Sequence, residues 1–322
     1  MAALALTPHL DTYGFALVEL TQQERAARKE CARREATMVN KWKQAAFSWQ
    51  PTDAAPAPAK LVKLVRDGIP ASLRPRLWLQ FSGGLALKAA APAGYYEGLL
   101  KSCKGRSASV LDAEFFVAFP NHPLLTSFKG RSLVQRLALA YARRSGADDT
   151  ACSVVCLAAF LVIVMGMERE EEVFWTLTAI VEQRLAALEE SLSLLLSKQK
   201  MEAAVAKQCP RLAALFRAND ISINDLTLGW FSSLFTCDLP AEAAARVWDC
   251  LLVEGPDIMM RVAVALFKLH EPALLAPSAG SRLDRVVEWR VARTYNSDAL
   301  MKMAFRSSLT GETKRKFSIS LW

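Results

Sequence analysis

The sequence has few of the residues and motifs on which most catalytic and metal-binding sites are built. Its 322 residues include only three histidines, and none of them stands near cysteines or carboxylates at metal-ligand spacing. It contains no GxGxxG pattern, no Walker loop and no GxSxG pattern. These absences argue against a dinucleotide-binding fold, a P-loop NTPase and a serine hydrolase. We therefore expect no metal and no cofactor.

Glycine and proline are also modest, at 14 residues each, and runs of β-branched residues at period two are almost absent. Alanine, leucine, glutamate, lysine and arginine are plentiful, and these residues favour helix. About half of the residues are apolar, so the chain can bury a large core. The composition predicts an all-α fold.

The seven cysteines are odd in number and stand mostly inside apolar helical stretches. The opening MAALALTPHL lacks the basic flank of a secretory signal. Both features favour a reduced, intracellular, cytoplasmic location with free thiols.

One long hydrophobic run tests this interpretation. Residues 151–167 are almost wholly apolar, and at about 1.5 Å per residue they fall just short of a comfortable membrane span. Their alanine, cysteine and serine content is ordinary for a central helix. We expect a buried core helix and no transmembrane segment.

The net charge of +8 raises the question of nucleic-acid binding. Basic residues are scattered and interleaved with acidic ones, which is typical of a solvated surface rather than a phosphate-binding track. The one concentrated basic patch is residues 314–316, in a polar and basic tail over residues 307–322. Such a patch could contact an acidic partner or an anionic membrane, but a solvated tail is favoured. We expect no nucleic-acid partner and at most peripheral membrane contact.

Residues 1–50 are predicted to contain one amphipathic helix, over residues 20–49, that packs on the following domain. Thr21 and Glu24 have the spacing of a capping box at its start. Residues 51–60 are rich in proline and alanine and predict an exposed linker, and residues 61–306 form the main domain. A second linker is expected at residues 276–281, followed by one helix that ends near Arg306.

Three ordered segments resemble the TBC family of Rab GTPase-activating proteins. The first is LVRDGIPASLRPRLWLQFSGG, the second is AAFLVIVMGMEREEEVFWTLTAIVE, and the third is WFSSLFTCDLPAEAAARVWDCLLVEGPDIMMRVAVALFKLHE. The resemblance as a whole covers roughly residues 40–275. The family's structural motif positions in this chain are Gly68, Ile69, Pro70, Arg74, Trp78, Arg246, Trp248 and Asp249. We expect Arg74 to be a structural, ion-pairing residue.

The resemblance implies an all-α, multi-helix TBC domain with two helical halves. TBC domains accelerate GTP hydrolysis by Rab GTPases with an arginine from an IxxDxxR motif and a glutamine from a YxQG motif. The arginine neutralises charge that develops on the transferring phosphoryl group, and such a residue is worth about 10³ to 10⁵ in rate. The glutamine amide orients the attacking water.

In this chain both catalytic positions carry other residues. Alignment through residues 119–123 places Val117 at the arginine position and Glu114 at the aspartate. An ungapped alignment from Ala140-Tyr141 places Cys152 at the glutamine position. Valine has no donor or charge, and a thiol is only a weak donor, so neither can replace the original chemistry. The partner-binding candidates that the resemblance implies are Glu114, Val117, Asn121, Cys152, Arg143 and Arg144.

Another departure lies at residues 183–209, where the family usually carries a Tyr-Tyr and glycine-containing stretch. Here the sequence predicts continuous helix, which alters any Rab interface built from this region.

The hypothesis we favour is a TBC-family regulator in membrane trafficking that binds a GTP-loaded Rab without the usual two-residue catalysis, and that is not an enzyme in its own right. Its location would be cytoplasmic, with peripheral membrane contact through the Rab. One alternative is an active GTPase-activating protein that uses Arg131, Arg143 or Arg144. The other alternative is a helical adaptor that binds no GTPase.

Overall fold

The computed structural model describes residues 10–17, 19–45, 49, 51, 56–103, 119, 121–146, 152–185, 198–276 and 282–306. Within these ranges every regular element is a helix, apart from one isolated antiparallel bridge between Leu10 and Ala16. The all-α prediction is confirmed.

The α-helices are α1 (Gln22–Gln44), α2 (Ala59–Asp67), α3 (Arg74–Ser82), α4 (Gly84–Ala90), α5 (Tyr95–Ser102), α6 (Pro123–Thr126), α7 (Phe128–Ser145), α8 (Cys152–Met165), α9 (Glu170–Ala179), α10 (Lys198–Gln208), α11 (Pro210–Ala218), α12 (Ile223–Ser232), α13 (Ala241–Glu254), α14 (Asp257–Leu274), α15 (Leu283–Val291) and α16 (Ser297–Arg306). Short 3₁₀ turns precede α3 and α9, and a π-helical turn over Ile180–Leu185 follows α9.

Helix α1 begins as its capping box predicts. The Glu24 N–H donates to the Thr21 hydroxyl at 3.2 Å, and the Thr21 N–H donates to the Glu24 carboxylate at 2.7 Å. The helix ends at Gln44, five residues before the expected end. Its buried Trp42 donates from Nε1 to the Gly68 carbonyl at 2.8 Å, which seats α1 on the start of the domain.

Helix α2 begins at Ala59, two residues before the expected domain boundary at residue 61. Residues 52–55 of the expected linker lie outside the described part of the chain. The Pro/Ala stretch therefore contributes its last two residues to the first helix of the domain.

Within the apolar run at residues 151–167, Cys152–Met165 form α8, and the residues from Val154 to Met165 are buried. No helix of the described residues is long and apolar enough to cross a membrane. The core-helix prediction for this run is confirmed.

The two helical halves meet where α13 packs against α2 and α3 on one side and α14 and α16 on the other. Trp78 of α3 stacks on Trp248 of α13 with ring centroids 5.3 Å apart, and Phe160 of α8 meets Trp248 edge-on at 5.2 Å. Aromatic pairs of this kind add to the burial free energy of the rings themselves. One continuous core thus joins three distant segments of sequence.

Some boundaries differ from the sequence predictions. The segment expected as one helix to Arg306 is two helices, α15 and α16. The helix expected across 183–209 ends at Gln208, because Pro210 lacks an N–H and begins a new helix; residues 186–197 are not described. Gly255 ends α13 with a positive φ of 89° and a ψ of −171°, which differs from the left-handed helical conformation common at glycine caps.

Candidate functional site

The motif residues that are far apart in sequence converge on one buried ion network. Arg74 is fully buried, and its guanidinium contacts Asp249 of α13 at 3.0 Å and Glu242 at 2.7 Å. Asp249, also fully buried, accepts from Trp78 Nε1 at 2.8 Å and from the Ile69 N–H at 3.2 Å. Because every donor finds an acceptor, two buried charges are tolerated here. These contacts agree with the ion-pairing role expected of Arg74.

The Gly-Ile-Pro turn is held next to this network by Arg246. Its Nη1 donates to Asp298 at 2.9 Å, and its Nη2 donates to the Arg66 carbonyl at 2.9 Å. Gly68 has a φ of 118°, and a Cβ there would lie 2.9 Å from the Arg246 guanidinium carbon. Glycine is required at this position by both backbone conformation and space.

Two residues of the network were not singled out from the sequence. The Tyr13 hydroxyl accepts from Arg74 Nη1 and donates to Glu242 at 3.1 Å. Burial raises the pKa of this phenol well above its ordinary value of 10.0, so it stays a donor. The spacing of Asp11 and Gly14, at the first and last positions of a turn, is the signal that could have drawn attention to this segment.

The segment around the family's arginine position is described only at its C-terminal end. Val117 and Glu114 lie outside the described residues. Phe119 is buried, Asn121 is exposed, and His122 caps α6 by accepting the Leu124 N–H on Nδ1 at 3.3 Å. The Nε2 of His122 therefore carries the proton and donates to the Tyr13 carbonyl at 2.8 Å. This turn (residues 119–122) is thus fixed from two sides.

Helix α6 crosses α7 closely beside that turn. The crossing depends on Gly130, because an added Cβ would lie 2.0 Å from the Leu124 carbonyl oxygen. The first residue of α7, Phe128, is 81% exposed, and Lys129 beside it is also exposed. The corner after the arginine position therefore presents an apolar ring and a cation to solvent.

The other partner-binding candidates lie on α7 and α8. Cys152 is the first residue of α8. Arg143 is exposed on the last turn of α7. Arg144 is half-buried, pairs with Glu182 at 2.8 Å and donates to the Tyr95 hydroxyl at 3.2 Å. The Glu182 contact raises the pKa of Arg144, which therefore stays charged and engaged.

The described residues hold no group of three or more histidine, cysteine or carboxylate side chains that could bind a metal ion. The six cysteines with described side chains form no disulfide: Cys31, Cys103, Cys156, Cys209, Cys237 and Cys250.

Comparison with known proteins identifies this architecture. A family model described as the Rab-GTPase-TBC domain matches residues 72–275. TBC1 domain family member 2A from Mus musculus is 28% identical over 263 residues, which are 79% of this chain and 28% of that protein. Small G protein signaling modulator 3 from Homo sapiens is 26% identical over 277 residues, which are 81% of this chain and 36% of that protein. The chain thus spans about a third or less of the length of these relatives.

Two solved structures share the fold. The crystal structure of the Chlamydomonas flagellar RabGAP TBC domain superposes with a TM-score of 0.78 at 26% identity, covering 94% of this chain and 100% of that one. The Ypt/Rab-GAP domain of Gyp1p gives a TM-score of 0.62 at 15% identity, covering 84% and 98%. The second match supports the fold alone. With the family model matching well over half of its residues, the chain belongs to the Rab-GTPase-TBC domain family.

Proposed function

We propose that this chain binds a GTP-loaded Rab-type GTPase and regulates it without supplying the family's two catalytic side chains. The observation that carries the proposal is the pair of residues at the catalytic positions, Val117 and Cys152, within a chain that belongs to the family. A role in membrane trafficking and a cytoplasmic location, with membrane contact through the Rab, belong to the same proposal.

The chemistry of the two side chains supports the loss of catalysis. Phosphoryl transfer needs a cation against the developing negative charge, and an isopropyl group provides neither charge nor hydrogen bond. A missing arginine costs about 10³ to 10⁵ in rate, which at about 1.4 kcal/mol per decade is roughly 4 to 7 kcal/mol of barrier. A thiol is too weak a donor and acceptor to hold the attacking water as a glutamine amide does.

The surroundings support retained binding. The turn that follows Val117 is packed and hydrogen-bonded, and the adjacent corner exposes Phe128 and Lys129. Large aromatic side chains and cations are common energetic centres of protein interfaces. The relatives named above include a small G protein signaling modulator and a flagellar RabGAP. A Rab-type GTPase is therefore the partner class that fits best.

The alternative of catalysis by another arginine has weaker support. Arg144 is held by Glu182 and Tyr95, so its use as a catalytic cation would first require these contacts to break. Arg143 is exposed and Arg131 is half-buried, so both side chains reach solvent. Substitution of each arginine tests whether it contributes to catalysis.

Two assays on a panel of GTP-loaded Rabs test the proposal. In titrations, we expect saturable binding of at least one Rab, weakened by Phe128→Ala with no change in thermal midpoint. In single-turnover hydrolysis, we expect no acceleration by the wild-type chain. The double variant Val117→Arg, Cys152→Gln should accelerate hydrolysis at least about tenfold, still below the 10³ to 10⁵ of an optimised site.

The matched control is the double variant Val117→Leu, Cys152→Ser, which changes both positions without adding a cation or an amide. Acceleration by the wild-type chain would establish a catalytic route through other residues. Absence of binding across the panel would favour an adaptor that has no GTPase partner.

A further inference from the structure

The segment that precedes α1 has a defined conformation. Residues 10–16, which we term the N-terminal strap, are closed by the bridge between Leu10 and Ala16. One carboxylate oxygen of Asp11 accepts the N–H groups of Tyr13 and Phe15, both at 2.9 Å. Gly14 completes the turn with a φ of 90°. Asp11 and Gly14 therefore fix the conformation of the strap through contacts within the strap itself.

One side of the strap is anchored in the buried ion network. The Tyr13 side chain is 8% exposed, and its hydroxyl lies between Arg74 and Glu242. Because Arg74 is fully buried, water cannot replace the phenol oxygen at this position without opening the network. The tyrosine is a specific anchor rather than a loose apolar contact.

The other side of the strap holds the turn at residues 119–122. The Tyr13 carbonyl accepts from His122 Nε2 at 2.8 Å. The Phe15 ring packs edge-on against His122 at 4.5 Å and against Phe119 at 5.8 Å between ring centroids. A Cβ on Gly14 would approach His122 Nε2 to 3.2 Å, so the two backbones fit closely. The turn is held by polar and aromatic contacts together.

The arginine position of the family lies two residues before Phe119. The Phe119–His122 turn is therefore the described part of the chain that stands nearest in sequence to the position that would face a bound GTPase. The strap lies outside the residues that the family model matches, which begin at residue 72.

We propose that the N-terminal strap positions the Phe119–His122 turn for GTPase binding, and that Tyr13 is the positioning residue. Its side chain is seated in the Arg74–Glu242–Asp249 network, while its carbonyl and the neighbouring Phe15 hold the turn. The strap thus links the buried core of the domain to the Phe119–His122 turn. The GTPase part of this inference rests on the function proposed above; the mechanical part does not.

Hydrogen exchange on the intact chain tests the mechanical part. In Tyr13→Ala, amide exchange over residues 119–126 should rise at least about tenfold, while exchange in α14, which contributes no residue to the ion network, stays near the wild-type rate. Tyr13→Phe keeps the ring and the backbone but removes the hydroxyl that anchors the strap, so exchange over this turn should lie between that of the wild type and that of Tyr13→Ala. Gly14→Ala should loosen the same turn from the strap side, without removing any group from the ion network.

The matched control is Tyr96→Ala, a buried tyrosine whose hydroxyl also donates to a carboxylate, that of Glu170 at 2.9 Å. It should lower the thermal midpoint but leave residues 119–126 protected. Wild-type protection of the turn in both Tyr13→Ala and Gly14→Ala would overturn the inference.

Titration with the GTP-loaded Rab that binds the wild-type chain tests the second part. Tyr13→Ala and Gly14→Ala should weaken binding at least about tenfold, and Tyr96→Ala should not. Exposure of the turn with unchanged Rab affinity would show a purely structural strap and overturn the inference. If the wild-type chain binds no Rab, the proposed function fails, and the exchange result alone still decides whether the strap holds the turn.

Discussion

At the scale of single residues, the positions that the sequence pointed to are mostly those of the ion network. Arg74, Trp78 and Asp249 were identified through motifs, and they meet as a guanidinium, an indole and a carboxylate in one buried site. Tyr13 and Glu242 belong to the same site, but the local sequence marks only the turn around Tyr13 and not the contact between the two residues. Their role depends on contacts between segments 229 residues apart, which no local pattern encodes. Val117 and Glu114 stay predictions, since they lie outside the described residues.

The carboxylate of Asp249 should be among the most important single groups for stability. Asp249→Asn leaves the fully buried Arg74 without its main counter-charge and places an amide donor against the N–H of either Trp78 or Ile69, which donate to different carboxylate oxygens. Breaking a buried pair in this way costs about 3–5 kcal/mol. We expect urea unfolding to show a loss in that range.

A partly exposed pair provides the control for that measurement. Glu254 contacts Arg66, whose side chain is 44% exposed, with Nε to carboxylate at 2.8 Å. Glu254→Gln should cost about 1 kcal/mol or less, because water solvates the arginine that remains. Equal losses in the two variants would show that burial of the Arg74–Asp249 pair has no special energetic role.

At the scale of elements, local signals predicted helix starts better than helix ends. The Thr21 capping box predicted the start of α1, and the apolar run predicted α8. The break between α15 and α16 was missed because residues 292–296 contain neither glycine nor proline. That break is made by tertiary and side-chain contacts: Thr294 bonds to His270 at 2.9 Å, and the Asn296 side chain accepts the Ala299 N–H at 2.9 Å. The asparagine was a readable cap signal.

Two helical glycines should respond in opposite directions to alanine. At Gly130 the new methyl group would collide with the Leu124 carbonyl, so the α6–α7 crossing must open at a cost of about 1–3 kcal/mol. At Gly229 of α12 an added Cβ would meet no described atom within 4 Å, so alanine should stabilise the helix by about 0.5–1 kcal/mol. Thermal unfolding of both variants measures the signs. A stabilising Gly130→Ala would contradict the tight crossing.

At the scale of the whole molecule, the sequence predicted the helical scaffold and its family, while the way distant segments are held together emerged only from the structure. The core aromatic rings Trp78, Phe160 and Trp248 come from three separate segments. The N-terminal strap adds a fourth segment through Tyr13. Such long-range contacts determine which side chains share a site, and residue type alone cannot specify them. Global stability therefore depends on groups that assembly of the whole domain buries wholly or in part, including one half-buried histidine.

That histidine is His270, near the end of α14, whose half-buried imidazole interacts with the charge of Arg290. Burial, aided by the arginine charge, lowers the pKa of His270 from 6.5 to about 4. The unfolded chain therefore binds a proton between pH 6.5 and 4 that the folded chain excludes. The free energy of unfolding should hold its full value above pH 6.5 and fall as the pH drops towards 4.

The size of this pH effect can be isolated with one substitution. The lowering of the His270 pKa corresponds to about 3 kcal/mol of unfolding free energy, and partial solvation of the imidazole reduces this contribution to on the order of 1–2 kcal/mol. His270→Gln keeps a hydrogen-bonding group near Thr294 but cannot be protonated, so its unfolding free energy should fall less over the same range. Urea unfolding of both proteins at pH 7.5, 6.0 and 5.0, conditions chosen to bracket the titration, measures the difference. Parallel pH profiles for wild type and variant would mean that His270 takes up its proton equally well in the folded and the unfolded chain. That result would contradict the lowered pKa that burial and the Arg290 charge give to His270.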